Sequence, residues 1–320
     1  MTAPRDLSAD LPRWGVVSTI KAPLRDILGF AAHHLELGAH RLLIFLDDPA
    51  PATVAALKAH PRIRVFACDD AHWRRLGVKR PAKHQARQTA NATFAYGRKV
   101  QLDWIIHIDV DEFLWPETSV ADRLAALDED VLCARVRPME QIAGDGNDFK
   151  AFIPPGPGRA ETVRRLYPTF GDFVKGGFMS HVQGKVFVRT GLGRLTVKIH
   201  NVFRGDETNP GQVELRDIAL AHAHAKSWED WIAAYRYRLE KGSYRAELAP
   251  ARPRDQGGMT LHEALRFVEA DSGEAGLRAF YDEICAATPE ARARLHRAGM
   301  LRRCELDLDR KIRRQFPDFA

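Results

Sequence analysis

Residues 104–115 read Trp-Ile-Ile-His-Ile-Asp-Val-Asp-Glu-Phe-Leu-Trp, an apolar run that stops abruptly at Asp109, Asp111 and Glu112. The run reads as a buried strand over 104–109. Side chains on a strand alternate faces, so Asp109 and Asp111 are expected to point the same way. Two carboxylates held that close raise each other's pKa unless a cation lies between them. Carboxylate oxygens with open positions suit Mg2+ or Mn2+. The competing reading is a loop of solvated acids after a core strand. The apolar lead-in and the bracketing Phe113 and Trp115 favour the metal.

This strand is the fourth in an alternating series. Gly15–Ile20 is a first strand, apolar without clean alternation and therefore expected to be buried on both faces. Pro23 opens a helix whose apolar residues Leu24, Ile27, Leu28, Ala31 and Leu35 fall on one face, and Gly38 ends it. A second strand, 41–46, runs into Asp47-Asp48-Pro49. A short helix near 51–60, a third strand at 63–67 ending in Asp69-Asp70, and a helix over 82–98 lead to the strand at 104. The order implies right-handed crossovers and a mainly parallel α/β sheet, whose ligands sit at the carboxyl ends of the strands. Thr19 to Lys21, Asp47-Asp48, Asp69-Asp70 and Asp109 to Glu112 all fall at such ends.

Further on, Ser119–Leu127 reads as a helix capped by Ser119, and 131–136 as a strand. The Gly- and Pro-rich stretch 143–184 reads as long loops. Short strands are expected at 185–189 and 195–199. From Trp228 the pattern is helical, broken at 249–254. This gives a catalytic domain over 14–227 and a helical extension over 228–320.

The totals are those of a soluble globular chain: 45% apolar and 28% charged residues over 320 positions, with no uninterrupted apolar run of transmembrane length. The first ten residues lack the apolar core of a signal peptide. The four cysteines, at 68, 133, 285 and 304, form no CxxC pair, which argues against a zinc knuckle or a disulfide framework. A cytoplasmic protein is expected, with the inner face of the membrane as an alternative address. The excess of cations is concentrated in 292–314, which carries nine arginines and lysines. That cluster is either a solvated helix face or a peripheral contact to anionic lipid. Nucleic acid is not an expected partner, since no RNA-binding or helix-turn-helix signature is present.

The sequence resembles the nucleotide-diphosphate-sugar glycosyltransferases of the GT-A fold, and more narrowly the bacterial family 2-like branch related to glycosyltransferase family 92. The likeness rests on Lys21 at the end of the first strand, His33-His34-Leu35 in a helix ending at Gly38, Asp47-Asp48, and Gln85. Trp104–Leu114 is its strongest piece. Leu220-Ala-His222-Ala-His-Ala-Lys226-Ser227, similar to a His-Tyr-x-x-Lys-Ser segment, completes it. It spans about residues 14–242. Ala22 and Pro23 stand where the family has an Asn and an acid, and Ala223 where it has an aromatic residue.

The resemblance implies a metal-dependent transferase of polysaccharide biosynthesis, acting on a nucleotide-sugar donor and a glycan or lipid-linked acceptor. It makes Asp111 the direct ligand of Mn2+ or Mg2+, with Asp109 binding through water or touching ribose. His222 is the distal metal ligand, with His200 and His224 behind it. Thr19, Lys21, Asp47 and Gln85 would hold the nucleoside, and Lys185 and Lys226 the diphosphate. Glu112 is named with Asp111 as catalytic, and Asp172, Asp206 and Glu207 are further candidates for a base. His33 and His34 are read as core or helix-surface residues. Three rival readings stand beside it. A haloacid-dehalogenase-like phosphohydrolase would carry its Asp-x-Asp near the N-terminus, with Thr or Val where Phe113 stands. A nucleotidyltransferase would need a Gly-rich loop, and 19–26 has no glycine. A non-catalytic sugar- or nucleic-acid-binding protein is the third.

Overall fold

A computed structural model describes residues 11–98, 101–224, 227–241, 250–251 and 254–319. In chain order the first half runs β1 (Trp14–Ile20), α1 (Leu24–Glu36), β2 (Arg41–Leu46), α2 (Pro51–Lys58), β3 (Ile63–Ala67), α3 (Asp70–Arg75), α4 (His84–Tyr96), β4 (Trp104–His107), β5 (Glu112–Pro116), α5 (Val120–Ala125) and β6 (Cys133–Gln141). It continues with β7 (Asp148–Lys150), α6 (Arg159–Leu166), β8 (Lys185–Arg189), β9 (Thr196–Val197), β10 (Val202–Arg204), β11 (Glu207–Thr208) and β12 (Gln212–His222). The last elements are α7 (Trp228–Lys241), α8 (Leu261–Ile284), α9 (Pro289–Arg297), β13 (Leu301–Arg303) and α10 (Leu308–Gln315).

Two compact units divide the chain. The first comprises Met1–Arg137, Gly184–Leu220 and Asp307–Ala320; the second comprises Pro138–Gln183 and Ala221–Leu306.

The first unit is an α/β layer structure. Its sheet is ordered β6-β8-β4-β1-β2-β3, parallel from β4 to β3 and antiparallel at β8 and β6. β1 is buried at every position, as its lack of alternation requires. The register sets Val17 beside His107 and Thr19 beside Phe45, so Thr19, Asp47 and the turn that follows β4 lie at the same end of the sheet. α1 buries Ile27, Leu28, Phe30, Ala31 and Leu35, and Gly38 turns the chain at φ +93°, a conformation glycine adopts without strain. His33 and His34 lie wholly in the core. His34 donates Nδ1–H to the Phe30 carbonyl at 2.8 Å and accepts the Leu114 N–H at Nε2, so the neutral ring is satisfied at both nitrogens. His33 donates to the Leu114 carbonyl at 2.8 Å and accepts from Lys311 at 3.0 Å. That last bond fastens α10 onto α1.

In the second unit, α6, α7 and α8 pack around Tyr235, Leu265, Phe280 and Ile284, while β7 pairs with the end of β6 and with β13. α8 is broken at Gly273. The buried Lys150 ammonium of β7 lies 2.6 Å from Glu140 and donates to the Gly177 and Ile284 carbonyls. The stretch 143–184, read as loops from its Gly and Pro content, in fact contains β7 and α6. α6 escaped because it is only eight residues long and half of them are charged, too short for a clear apolar period. β4 stops at His107 rather than at 109.

Candidate active site

Because β4 ends two residues early, Asp109, Val110 and Asp111 form a turn into β5 rather than the last positions of a strand. Strand alternation therefore does not set the direction of the two aspartates; the turn does. It closes through the Glu112 N–H donating to the Asp109 carbonyl at 3.1 Å. The Glu112 carboxylate bends back to accept the Asp109 N–H at 2.8 Å.

Beneath the turn lies Lys185, the first residue of β8 and fully buried. Its ammonium donates to Asp109 Oδ2 at 2.6 Å and stands 3.1 Å from Glu112 Oε2. Burial alone would pull the lysine pKa down, but the two carboxylates outweigh it and hold it above its usual value. Lys185 is therefore a charged counter-ion to the acids. The second oxygen of Asp109 accepts from the Gln88 amide.

Gln88 sits one helical turn beyond Gln85 on α4, and Gln85 itself is exposed. From the same helix Asn91 donates to Thr19 Oγ1 at 3.1 Å and accepts from His72 at 2.8 Å. Lys21 is exposed and lies 3.4 Å from Asp48.

Asp47 is buried and already paired. Arg80 reaches Oδ1 at 2.9 Å, and Arg87 reaches Oδ2 through Nε at 2.9 Å and Nη2 at 2.8 Å. Burial pushes the carboxyl up, yet the two guanidiniums prevail and its pKa is lowered. His84 lies 3.8 Å from the same carboxylate. His107, buried at the end of β4, has no hydrogen-bond partner for either ring nitrogen among the described residues. Burial, then the Lys185 charge, hold its pKa down to about 4, so the ring is neutral.

The sequence singled out none of Gln88, Asn91, Arg80, Arg87 or His107. The i, i+3 spacing of Gln85 and Gln88 was visible, but which of the two faces the sheet depends on the roll of α4. His200 donates Nδ1–H to the Gly184 carbonyl at 3.0 Å.

The second unit holds its own cluster of histidines. The rings of His181 and His222 are 5.3 Å apart, and those of His222 and His224 are 5.0 Å apart. The loop before His181 is fixed from below, where Glu140 accepts the Met179 N–H at 3.0 Å and the Ser180 N–H at 2.7 Å. Burial would raise the Glu140 pKa, but Lys150 above all holds it down to about 2. Lys226 lies outside the described residues. Asp172 pairs with Arg164 at 2.8 Å, beside α6.

No family model matches the chain, and no curated protein matches it. Among solved structures it is similar to the apo form of the bifunctional glycosyltransferase WbbM, at 13% identity and a TM-score of 0.30, over 57% of this chain and 32% of that one. It is similar to the glycosyltransferase GlyE of Streptococcus pneumoniae TIGR4, at 14% identity and 0.27, over 40% of this chain and 30% of that one. HddC from Yersinia pseudotuberculosis matches at 9% identity and 0.29, over 56% and 76%. The chain thus spans about a third of the length of the first two. Likenesses at this level do not place it in a family.

Proposed function

We propose that the chain is a GT-A-type glycosyltransferase that moves a sugar from a nucleotide-diphosphate donor to a glycan or lipid-linked acceptor, using Mn2+ or Mg2+. One observation carries the reading. The turn Asp109–Glu112, with a buried lysine under it, stands level with Thr19 and Asp47 at the carboxyl ends of parallel strands. This is where an open α/β sheet binds its ligands. The sequence resemblance supplies the reaction type.

The donor set suits a divalent cation. Asp109 has one oxygen committed to Lys185 and the other to Gln88, which favours an indirect role through water or ribose. Asp111 is the direct ligand in this reading, and the sequence resemblance names His222 as the distal one. An imidazole in the set favours Mn2+ over Mg2+. When bound, the cation stabilises the charge that develops on the departing diphosphate.

The protein's own groups do the rest. Lys185 offsets the acids from below, and Glu112 fixes the Asp109 backbone, so Glu112 acts as a positioning residue and the acceptor base comes from elsewhere. Arg80 and Arg87 take up Asp47, which makes the arginines, half-exposed in the case of Arg80, better candidates to meet the donor than Asp47 itself. Lys226, outside the described residues, is assigned to the diphosphate by the sequence resemblance alone.

The test is a thermal-shift panel of UDP-, GDP-, dTDP- and CMP-sugars with and without Mn2+, followed by turnover of the best donor. One donor is expected to stabilise the chain only when Mn2+ is present. Asp111→Asn should abolish turnover while the circular dichroism spectrum stays unchanged; undiminished turnover in that variant removes the metal from the reaction.

A further inference from the structure

A cleft opens toward the opposite end of the first unit's sheet. It measures about 490 Å3 and is lined by Arg41, Arg64 and Arg98 with Leu43, Phe66 and Leu102 among its apolar walls. Arg41 and Leu43 alternate on β2, and Arg64 and Phe66 on β3. The strand register sets Leu43 beside Arg64, so two Arg-x-apolar pairs lie side by side on one sheet face. Arg98, just past α4, lays its guanidinium over Phe66 and Phe94, with its carbon 5.6 and 5.3 Å from the ring centres. Arg41 donates to the Pro61 carbonyl at 3.1 Å. No carboxylate is among the described lining residues.

The cleft is separate from the acid turn. Arg41 begins β2 and Asp47 follows its end, six residues on, which at a rise of about 3.3 Å per residue is roughly 20 Å. Its volume falls within the range of small-molecule sites, about 300–1,000 Å3. Three guanidiniums carry far more charge than the roughly half-unit of negative charge at the nearby carboxyl end of α4. Guanidinium forks match phosphate oxygens, and stacking on Phe66 and Phe94 orients one of them in advance.

We infer that this cleft is a phosphate-binding site, independent of the proposed donor site, which holds a phosphorylated ligand by Arg41, Arg64 and Arg98. The phosphate comes either from a free small molecule or from a lipid headgroup, and the two are separable.

The full-length chain is titrated calorimetrically with inorganic pyrophosphate in EDTA, so that no divalent cation assists the acid turn. In parallel it is sedimented with phosphatidylcholine vesicles, with and without phosphatidate. Arg64 is exposed on β3, so Arg64→Ala is expected to fold normally, and Arg98→Ala provides a second variant. Each should weaken pyrophosphate binding at least tenfold. Arg64→Lys should recover part of the loss, and Asp111→Asn should bind as the parent does. Dependence on both arginines in the vesicle arm alone assigns the phosphate to a lipid headgroup; dependence in the calorimetric arm assigns it to a free ligand. Absence of binding in both arms overturns the inference, and so does binding that both alanine variants retain. Because the readout needs neither metal nor sugar, it stands or falls apart from the transferase reading.

Discussion

Without the Lys185 ammonium, Asp109 and Glu112 would face each other at the foot of the turn with no charge between them. Breaking a buried pair by deleting one partner typically costs about 3–5 kcal/mol, because the remaining charge is left uncompensated. Lys185→Met is therefore expected to lower the unfolding free energy by that order and to abolish turnover, measured by urea denaturation and donor hydrolysis. A loss under about 1 kcal/mol would mean that water, not the lysine, solvates the acids. The histidines make a separate prediction. Burial, the largest cause in each case, holds His34 and His107 down to about 4, whereas an unfolded histidine titrates near 6.5. Their folded values are the lower ones, so between pH 6.5 and 4 the unfolded chain binds more protons, and stability falls as the pH drops through that window. Each contributes about 3 kcal/mol across it. Glu140, held down to about 2, adds its own loss only below its ordinary value near 4.5. Urea midpoints followed from pH 7 to about 4.5 should fall steadily; a flat profile would mean that these rings take up protons in the folded chain at the same pH as in the unfolded one.

At the scale of elements, the candidate site depends on how three of them meet. β8 begins at Lys185, and Gly184 before it has φ +73°; a Cβ there would run into the Val136 carbonyl oxygen of β6. Gly184→Ala should cost about 1–3 kcal/mol from the backbone conformation alone and displace Lys185, lowering activity more than a surface Gly→Ala control. Equal activity in the two variants would detach Lys185 from the chemistry. The end of β4 and the roll of α4 are matters of the same scale. The sequence marks the acids after an apolar run but not that the strand stops at His107, because Ile108 continues the apolar pattern in the turn. It marks a helix over 82–98, but Gln88 rather than Gln85 reaches Asp109, since with so few large apolar residues the helix has no strong face to read.

At the scale of the molecule, five of the nine cations of the basic C-terminal stretch are taken up by partners within their own unit. Arg292 lies 2.7 Å from Asp148, Arg303 3.2 Å from Asp145, Arg310 reaches Asp307 at 2.5 Å, Arg314 lies 3.5 Å from Glu36, and Lys311 is buried against His33. No helix among the described residues is long and apolar enough to cross a membrane. α10 belongs to the first unit, tied to α1 by Lys311 and by Arg25, which meets Asp309 at 2.6 Å. Truncation after Leu306 should therefore lower the melting temperature by several degrees, read by calorimetry, before any effect on vesicle binding is considered. An unchanged melting temperature would make the segment a mere appendage.

What the sequence settled by itself is the order of the first four strands with α1, α2 and α4 between them, and the placing of acids after those strands, because hydrophobic period, Pro and Gly are local signals that few alternative folds satisfy. What only the tertiary structure decided is which charges meet: that Lys185 lies under Asp109 and Glu112, that Asp47 is taken by two arginines, and that arginines from β2, β3 and the end of α4 share a cleft. Those pairs lie tens of residues apart in the chain. Coulombic and hydrogen-bond partners over such separations are fixed by sheet register and helix roll, which no local pattern encodes.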